Sequence, residues 1–456
     1  MTNAAISDLA GSRSLPERSV LAHRLDALAI SPTHIVIVGI CAIAFGFDLS
    51  EVAIGSALSA VFSAPPAAAD PSALSWLLSS MYVGAIVGAP AFGWLADRRG
   101  RRIALALALM VLALTSLAGA LSAGIASLTV FRGLSGIALG AFPPLVFAYL
   151  TDLLPARRRG LMIFAMSGLA SLGPIGIIFL IRWLTPLQPL GFDAWRWAML
   201  VGAGGALATG VLFLTLLPES PRWLLARGRT SEAGSVLTRL GAANPGADLV
   251  LDRPVAPIAT ERASARPSLF RRLAVIFGLN FLSPWATTAF PLLSGAALIQ
   301  KGFQLSDSLL YVGVSLFGPV IGTVIAAIYV DRIERRAAIV GCAVAMLLSG
   351  TSFVLSMSPI WLMASGVSFG VFASLLLPTL TVYAAEMFPT VDRGWTTSAG
   401  WAVNRTGSVI ALLLLLPVLH LAGPLAMFTV IGGSLILIVV LVTTAGPPGR
   451  SGRAVD

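Results

Sequence analysis

Charge is scarce in this sequence. Only 11% of its 456 residues are Asp, Glu, Lys or Arg, while 57% are hydrophobic. A soluble chain needs roughly a quarter of its residues charged to coat its surface, so this balance argues against a water-soluble globular protein and for one whose outer face meets lipid. Lysine is nearly absent, with Lys301 alone among 30 basic residues. Cysteine is limited to Cys41 and Cys342, both within apolar runs, which fits small core residues and leaves no disulfide framework or metal knuckle. The three histidines (23, 34 and 420) are scattered. With no nucleophile–base pair, Gly-rich phosphate loop or metal-ligand cluster beside them, nothing supports an enzyme, a bound cofactor or ATP coupling. The first 30 or so residues also lack an apolar stretch followed by a small-residue cleavage site, so no cleaved leader is expected.

What is abundant is apolar sequence in runs of membrane-spanning length. About 20 apolar residues cross a bilayer as one helix. Twelve such runs are expected, at 34–63, 74–96, 103–122, 124–150, 161–184, 195–217, 272–300, 307–330, 337–357, 359–386, 395–420 and 422–445. Gly and Pro within them are tolerated in membrane helices. The expected fold is all-α, with a tail at 1–33, six spans over 34–217, a middle loop at 218–271, six spans over 272–445 and a tail at 446–456. Within the middle loop, 231–240 reads as a short amphipathic helix lying on the membrane surface.

The net charge of +10 invites a nucleic-acid reading, but its placement argues otherwise. Twenty-five of the 30 basic residues fall in the tails and in loops on one side of the twelve-span plan, nine of them in the middle loop. The opposite loops hold Lys301, with Arg196 at the mouth of span six. Basic residues stay cytoplasmic, so both termini are expected inside.

The two halves echo each other at one offset. Asp97-Arg98-Arg99-Gly100-Arg101-Arg102 recurs as Asp331-Arg332-Ile333-Glu334-Arg335-Arg336, 234 residues on. Tyr149, Asp152, Pro155, Arg159 and Gly160 recur as Tyr383, Glu386, Pro389, Arg393 and Gly394 at that same offset. Each pair falls on the same membrane side, so the repeat is parallel, as in transporters whose binding site lies between two six-span halves.

These residues carry a resemblance. Gly93-Trp94-Leu95-Ala96-Asp97 with Arg98, Gly100 and Arg101 resembles the loop 2–3 signature of the major facilitator superfamily. Pro218-Glu219-Ser220-Pro221-Arg222-Trp223, Arg132-Gly133 with Gly136 and Gly140, and Glu386-Met387-Phe388-Pro389 with Arg393 resemble its sugar-porter and organic-ion branches. Phe45-Gly46-Phe47-Asp48 and Asn404-Arg405-Thr406-Gly407 are similar to bacterial proton symporters of aromatic acids and related metabolites. Glu334, standing where the first half has Gly100, departs from the loop signature. The resemblance implies a secondary transporter of the bacterial inner membrane, monomeric, working by alternating access, with the lipid bilayer, a proton and a small organic anion as partners.

Two groups of charges then ask for roles. Asp97, Arg98, Arg101, Asp152, Arg159, Glu219 and Arg222, with their counterparts Asp331, Arg332, Arg335, Glu386 and Arg393, sit at the basic ends of the spans and are expected to form a cytoplasmic gate. The alternative is a set of helix-end anchors. Charges within spans are costly, about 2.5–3.5 kcal/mol or more each, and demand a reason. Asp48 and Glu51 share one face of span one and are the expected proton carriers. Arg132 and Arg405 are the expected partners of a substrate carboxylate. The competing reading of these four charges is a pair of structural ion pairs. Asn280, Asn404, Trp285, Trp401, Tyr149 and Tyr383 are expected around a flat ring. Few amides lie in the spans, which argues against a sugar. A sugar or polyol symporter, a drug or metabolite exporter and a flux-free sensor remain alternatives.

Overall fold

In the computed structural model, residues 28–241, 269–329, 333–388 and 390–446 are described. They are helical throughout, with no strand among them. Six long helices form the first half: α1 (Pro32–Val61), α2 (Pro71–Arg99), α3 (Arg101–Ala120), α4 (Ile125–Leu153), α5 (Ala156–Leu184) and α6 (Ala194–Leu216). Two short ones follow, α7 (Pro221–Ala226) and α8 (Thr230–Arg239). The second half holds α9 (Leu269–Gln300), α10 (Leu305–Ile328), α11 (Arg335–Leu355) and α12 (Pro359–Met387). The last helical stretch, Thr390–Thr444, is broken at Gly423, whose φ of 84° is followed by Pro424. It therefore comprises two spans, α13 (390–422) and α14 (424–444), giving the twelve that the apolar runs predict.

Local chemistry sets the boundaries. Asp70 caps α2, accepting from the amides of Ser72 (3.0 Å) and Ala73 (3.2 Å), with Pro71 in the first turn. Gly100, at φ 101°, breaks the chain between α2 and α3. A side chain there would be strained and would meet the Glu219 carboxylate. In α9, Pro284 cannot donate to the helix ladder, and one wide turn, Trp285–Ala289, follows it.

The internal repeat extends into the packing. A Cβ on Gly84 or Gly88 of α2 would overlap the backbone of Gly133 or Ile137 on α4, and one on Gly136 would overlap Met81. At 234 residues on, a Cβ on Gly318 or Gly322 of α10 would overlap Val367, Ser374 or Val371 on α12, and Gly370 is backed by Pro319 and Ser315. Small residues thus bring the α2–α4 and α10–α12 backbones together in the same way.

Successive spans alternate in direction, so the basic loops gather on one face of the bundle. At that face α8 departs from the expected surface helix. Ala233 and Leu237 are buried, Leu240 joins the core of the first half, and the Thr33 hydroxyl donates to the Arg239 carbonyl (3.1 Å). Its apolar side docks on protein rather than on lipid. Two hydrogen bonds join the halves among the described residues. Ser59 of α1 donates to the Leu292 carbonyl of α9 (2.6 Å), and Arg182 of α5 donates to the Ser306 carbonyl of α10 (3.1 Å). Both lie at the face opposite the basic one.

Candidate functional site

Three elements of the first half converge on Glu51. Arg132 of α4 reaches its carboxylate at 2.7 Å and its main-chain carbonyl at 2.9 Å. The Ser116 hydroxyl of α3 donates to the other carboxylate oxygen at 2.9 Å. Arg132 and Glu51 are 1% and 2% exposed. Gly55, one turn along α1, leaves the room that the guanidinium fills: a Cβ there would stand 3.1 Å from Arg132 Nη2. Each charge is neutralised by its partner, and the pair crosses from α1 to α4 inside one half. Arg132 is thus engaged by Glu51 within one half, and Glu51, unlike Asp48, has both carboxylate oxygens hydrogen-bonded. The structural ion pair is what the geometry supports for these two residues.

Asp48 is placed differently. It is 1% exposed, and its Oδ1 has no hydrogen-bond partner among the described residues. The charges that act on it are Arg405, from the other half, and Glu51. Arg405, on α13, has no carboxylate in contact among the described residues. Its guanidinium lies 4.5 Å from the Trp401 ring and 5.7 Å from the Tyr82 ring, so it is held between two aromatic faces. Arg405 Nε, Tyr82 Oη, Trp401 Nε1 and Trp285 Nε1 are all buried donors without hydrogen-bond partners among the described residues. Trp285 packs near Phe281 (6.3 Å between ring centres) on α9, which is tied to α13. Arg405 thus stacks on Tyr82 of the first half and on Trp401 of its own helix, and its charge acts on Asp48 of α1.

Tyr82 is the residue that sequence reasoning missed. It is 1% exposed on α2, a helix from which no aromatic was expected at the site. Tyrosine occurs only five times in the chain, and one in mid-span was the available signal.

The remaining expected site residues separate. Asn404 donates to the Asn280 carbonyl (3.2 Å) and to the Ser283 hydroxyl (3.3 Å), which fastens α13 to α9. Asn280 turns its amide to the Ile276 carbonyl (2.9 Å) and packs beside Gly400. Tyr149 is buried in the core of the first half with its hydroxyl on the Pro218 carbonyl (2.5 Å), near the basic face. Tyr383, its repeat counterpart, is buried beside Gly446. Asn404 thus ties α13 to α9, and Tyr149 ties α4 to the Pro218 carbonyl near the basic face.

At the basic face, Arg101 pairs with Asp152, which also accepts from the Ser220 hydroxyl at 2.6 Å. The counterpart pair, Arg335 with Glu386, stands at 3.1 Å. Both lie within a half, so neither bridges the two halves here. Glu219 accepts from three backbone amides, those of Arg101 (2.9 Å), Arg102 (3.2 Å) and Ser220 (2.8 Å), and so caps the start of α3. Arg98 is exposed and stacks on Trp94 (4.2 Å). The Asp97 carbonyl accepts from Trp223 (3.0 Å) and Arg227 (2.5 Å). Arg159 caps the end of α4 through the Leu154 carbonyl (3.2 Å), and Arg222 opens α7, partly buried. Asp331, Arg332 and the Arg393 side chain lie outside the described residues.

Residues 34–447 match the family model described as sugar (and other) transporter. The niacin transporter NiaP of Acinetobacter baylyi is 27% identical, over 86% of this chain and 88% of its own. A D-xylose transporter of Levilactobacillus brevis is 28% identical, over 77% and 79%. Among solved structures, a partially occluded inward-open conformation of the xylose transporter XylE from E. coli superimposes with a TM-score of 0.71 at 18% identity, covering 92% of this chain and 99% of that one.

Proposed function

The chain belongs to the sugar (and other) transporter family of the major facilitator superfamily, a multi-pass membrane transporter, and we propose that it carries a small aromatic carboxylate together with a proton. The observation that carries this reading is Arg405, a guanidinium between two rings with no carboxylate of its own in contact among the described residues. A carboxylate forms a two-point pair with a guanidinium, and a flat ring stacks on tryptophan. The surplus of free donors also suits an acceptor-rich anion better than a neutral sugar, whose hydroxyls need acceptors as well. Niacin, the pyridine carboxylic acid named for one similar transporter, has this chemistry.

Asp48 supplies the coupling. An anion on Arg405 engages the charge that otherwise acts on Asp48, so a proton on Asp48 and an anion on Arg405 favour each other. The basic face is cytoplasmic by the placement of arginine, in a bacterial inner membrane. Among the described residues the hydrogen bonds between the halves lie at the opposite face, and alternating access would exchange those ties for contacts at the basic face.

A second reading, sugar–proton symport, is supported by similarity to the D-xylose transporter. Uptake into proteoliposomes under an imposed proton gradient separates the two. Nicotinate is accumulated and xylose is not. Losing one partner of a buried charge pair costs about 2 kcal/mol or more, so Arg405→Ala raises the KM for nicotinate about 30-fold or more. Accumulation of xylose with no nicotinate uptake would overturn the carboxylate reading.

A further inference from the structure

The basic face holds a cleft that the transport reading does not use. It has a volume of about 320 Å³ and lies between the start of α3, the end of α6 and the short helices α7 and α8. Four guanidiniums (Arg99, Arg102, Arg229 and Arg239) and two carboxylates (Glu219 and Glu232) line it. Both carboxylates are already engaged. Glu219 caps the amides of α3, and Glu232 takes a two-point pair from Arg229, 2.6 Å at each contact. The other three arginines have no carboxylate partner among the described residues. Arg102 and Arg239 each place one nitrogen on a carbonyl at the end of α6, Leu217 (3.2 Å) and Leu216 (2.6 Å) respectively. Those bonds fix the two side chains and leave most of their donors unused. Arg102 Nε is buried without a hydrogen-bond partner among the described residues. Arg99 is exposed and makes no hydrogen bond among the described residues.

We propose that this cleft binds the phosphate of an anionic ligand. With Arg229 paired to Glu232, three guanidiniums stand against the single Glu219 carboxylate, and this surplus of positive charge around one recess matches several oxygens carrying charge on one centre, which a phosphate offers and a single carboxylate does not. The surroundings favour a phospholipid headgroup as the source. Leu207, Val211 and Leu214 form an exposed apolar stripe along α6, the helix whose end supplies the Leu216 and Leu217 carbonyls that hold Arg239 and Arg102, and Trp223 and Val236 add an apolar wall to the cleft. A headgroup in the cleft has its acyl chains beside that stripe, and arginine clusters at the cytoplasmic surface attract such lipids. The cleft is built from the first half and the middle-loop helices α7 and α8 packed on it, so the ligand steadies α7 and α8 against the ends of α2 and α3 without bridging the two halves.

The test uses the purified full-length chain in a neutral detergent. Its ligands are dihexanoyl phosphatidylglycerol, dihexanoyl phosphatidylcholine and glycerol 3-phosphate, and the readout is binding by thermophoresis alongside thermal melting. The expected result is saturable phosphatidylglycerol binding that raises the melting temperature, at least tenfold tighter than phosphatidylcholine. Arg239→Gln weakens it at least tenfold and Arg99→Gln severalfold, while Arg98→Gln, whose side chain stacks on Trp94 outside the cleft, leaves it unchanged. Arg99→Gln keeps the test valid should loss of the α6 contact unfold Arg239→Gln. Glycerol 3-phosphate binding with the same arginine dependence supports the phosphate site and assigns a soluble source; phosphatidylglycerol binding alone assigns the lipid. Equal binding of both lipids, or an affinity unmoved by both cleft substitutions, overturns the proposal.

Discussion

The two carboxylates of α1 lie three residues apart and are expected to fail in opposite ways when neutralised. In Glu51→Gln the Arg132 guanidinium, 1% exposed and now 2.7 Å from a neutral amide, loses its counter-charge. Leaving one member of such a pair buried alone costs about 3–5 kcal/mol. Replacing both, as Glu51→Leu with Arg132→Met, removes the stranded charge and restores most of the loss. Asp48→Asn behaves differently. Asp48 Oδ1 makes no hydrogen bond among the described residues, and an amide of the same shape avoids burying a charge, so stability is unchanged or higher. Function sorts the other way: Asp48→Asn keeps substrate exchange but loses accumulation against a gradient. The assay pairs detergent melting curves with two transport modes in proteoliposomes, counterflow exchange and gradient-driven uptake. A Glu51→Gln protein that melts like the wild type yet no longer accumulates substrate would refute this division of roles and make Glu51 the proton carrier.

Two further predictions test the site and the packing. Tyr82→Phe removes one free donor beside Arg405 without a change in volume. The KM for nicotinate should rise about threefold to tenfold, the worth of about 0.5–1.5 kcal/mol for one hydrogen bond, with an unchanged melting temperature; an unchanged KM would remove Tyr82 from the site. Gly136→Ala and Gly370→Ala occupy equivalent places in the two halves, but the added methyl meets a carbonyl head-on at Gly136, whereas at Gly370 its nearest neighbour is Pro319 Cδ at 2.8 Å. Overpacking costs about 1–3 kcal/mol, and melting curves should show the larger loss for Gly136→Ala.

Much of the architecture was legible because it is written in local patterns. Apolar runs gave the twelve spans, and the 234-residue offset aligned Arg101 with Arg335 and Asp152 with Glu386, which do form equivalent pairs. The charge partners inside the membrane were not legible. Asp48 and Glu51 share a helix face, so spacing alone gives either one to Arg132. In the structure Glu51 takes Arg132 and also accepts from Ser116 of α3, and those neighbours are a matter of tertiary packing. Tyr82 was missed for a similar reason, since the approach of α2 to α13 has no trace in either helix. The docking of α8 was hidden because an amphipathic helix has the same pattern whether its apolar side meets lipid or protein.

The central claim is that one solute and one proton move together through Arg405 and Asp48. The most direct measurement is the lumenal pH of proteoliposomes carrying a trapped pH dye when nicotinate is added outside, with the membrane potential clamped and protein-free vesicles setting the passive baseline. Wild-type vesicles should acidify as nicotinate enters, and Asp48→Asn vesicles should exchange labelled nicotinate with no pH change above baseline. Nicotinate entry without acidification in the wild type, or acidification undiminished in Asp48→Asn, would contradict the account.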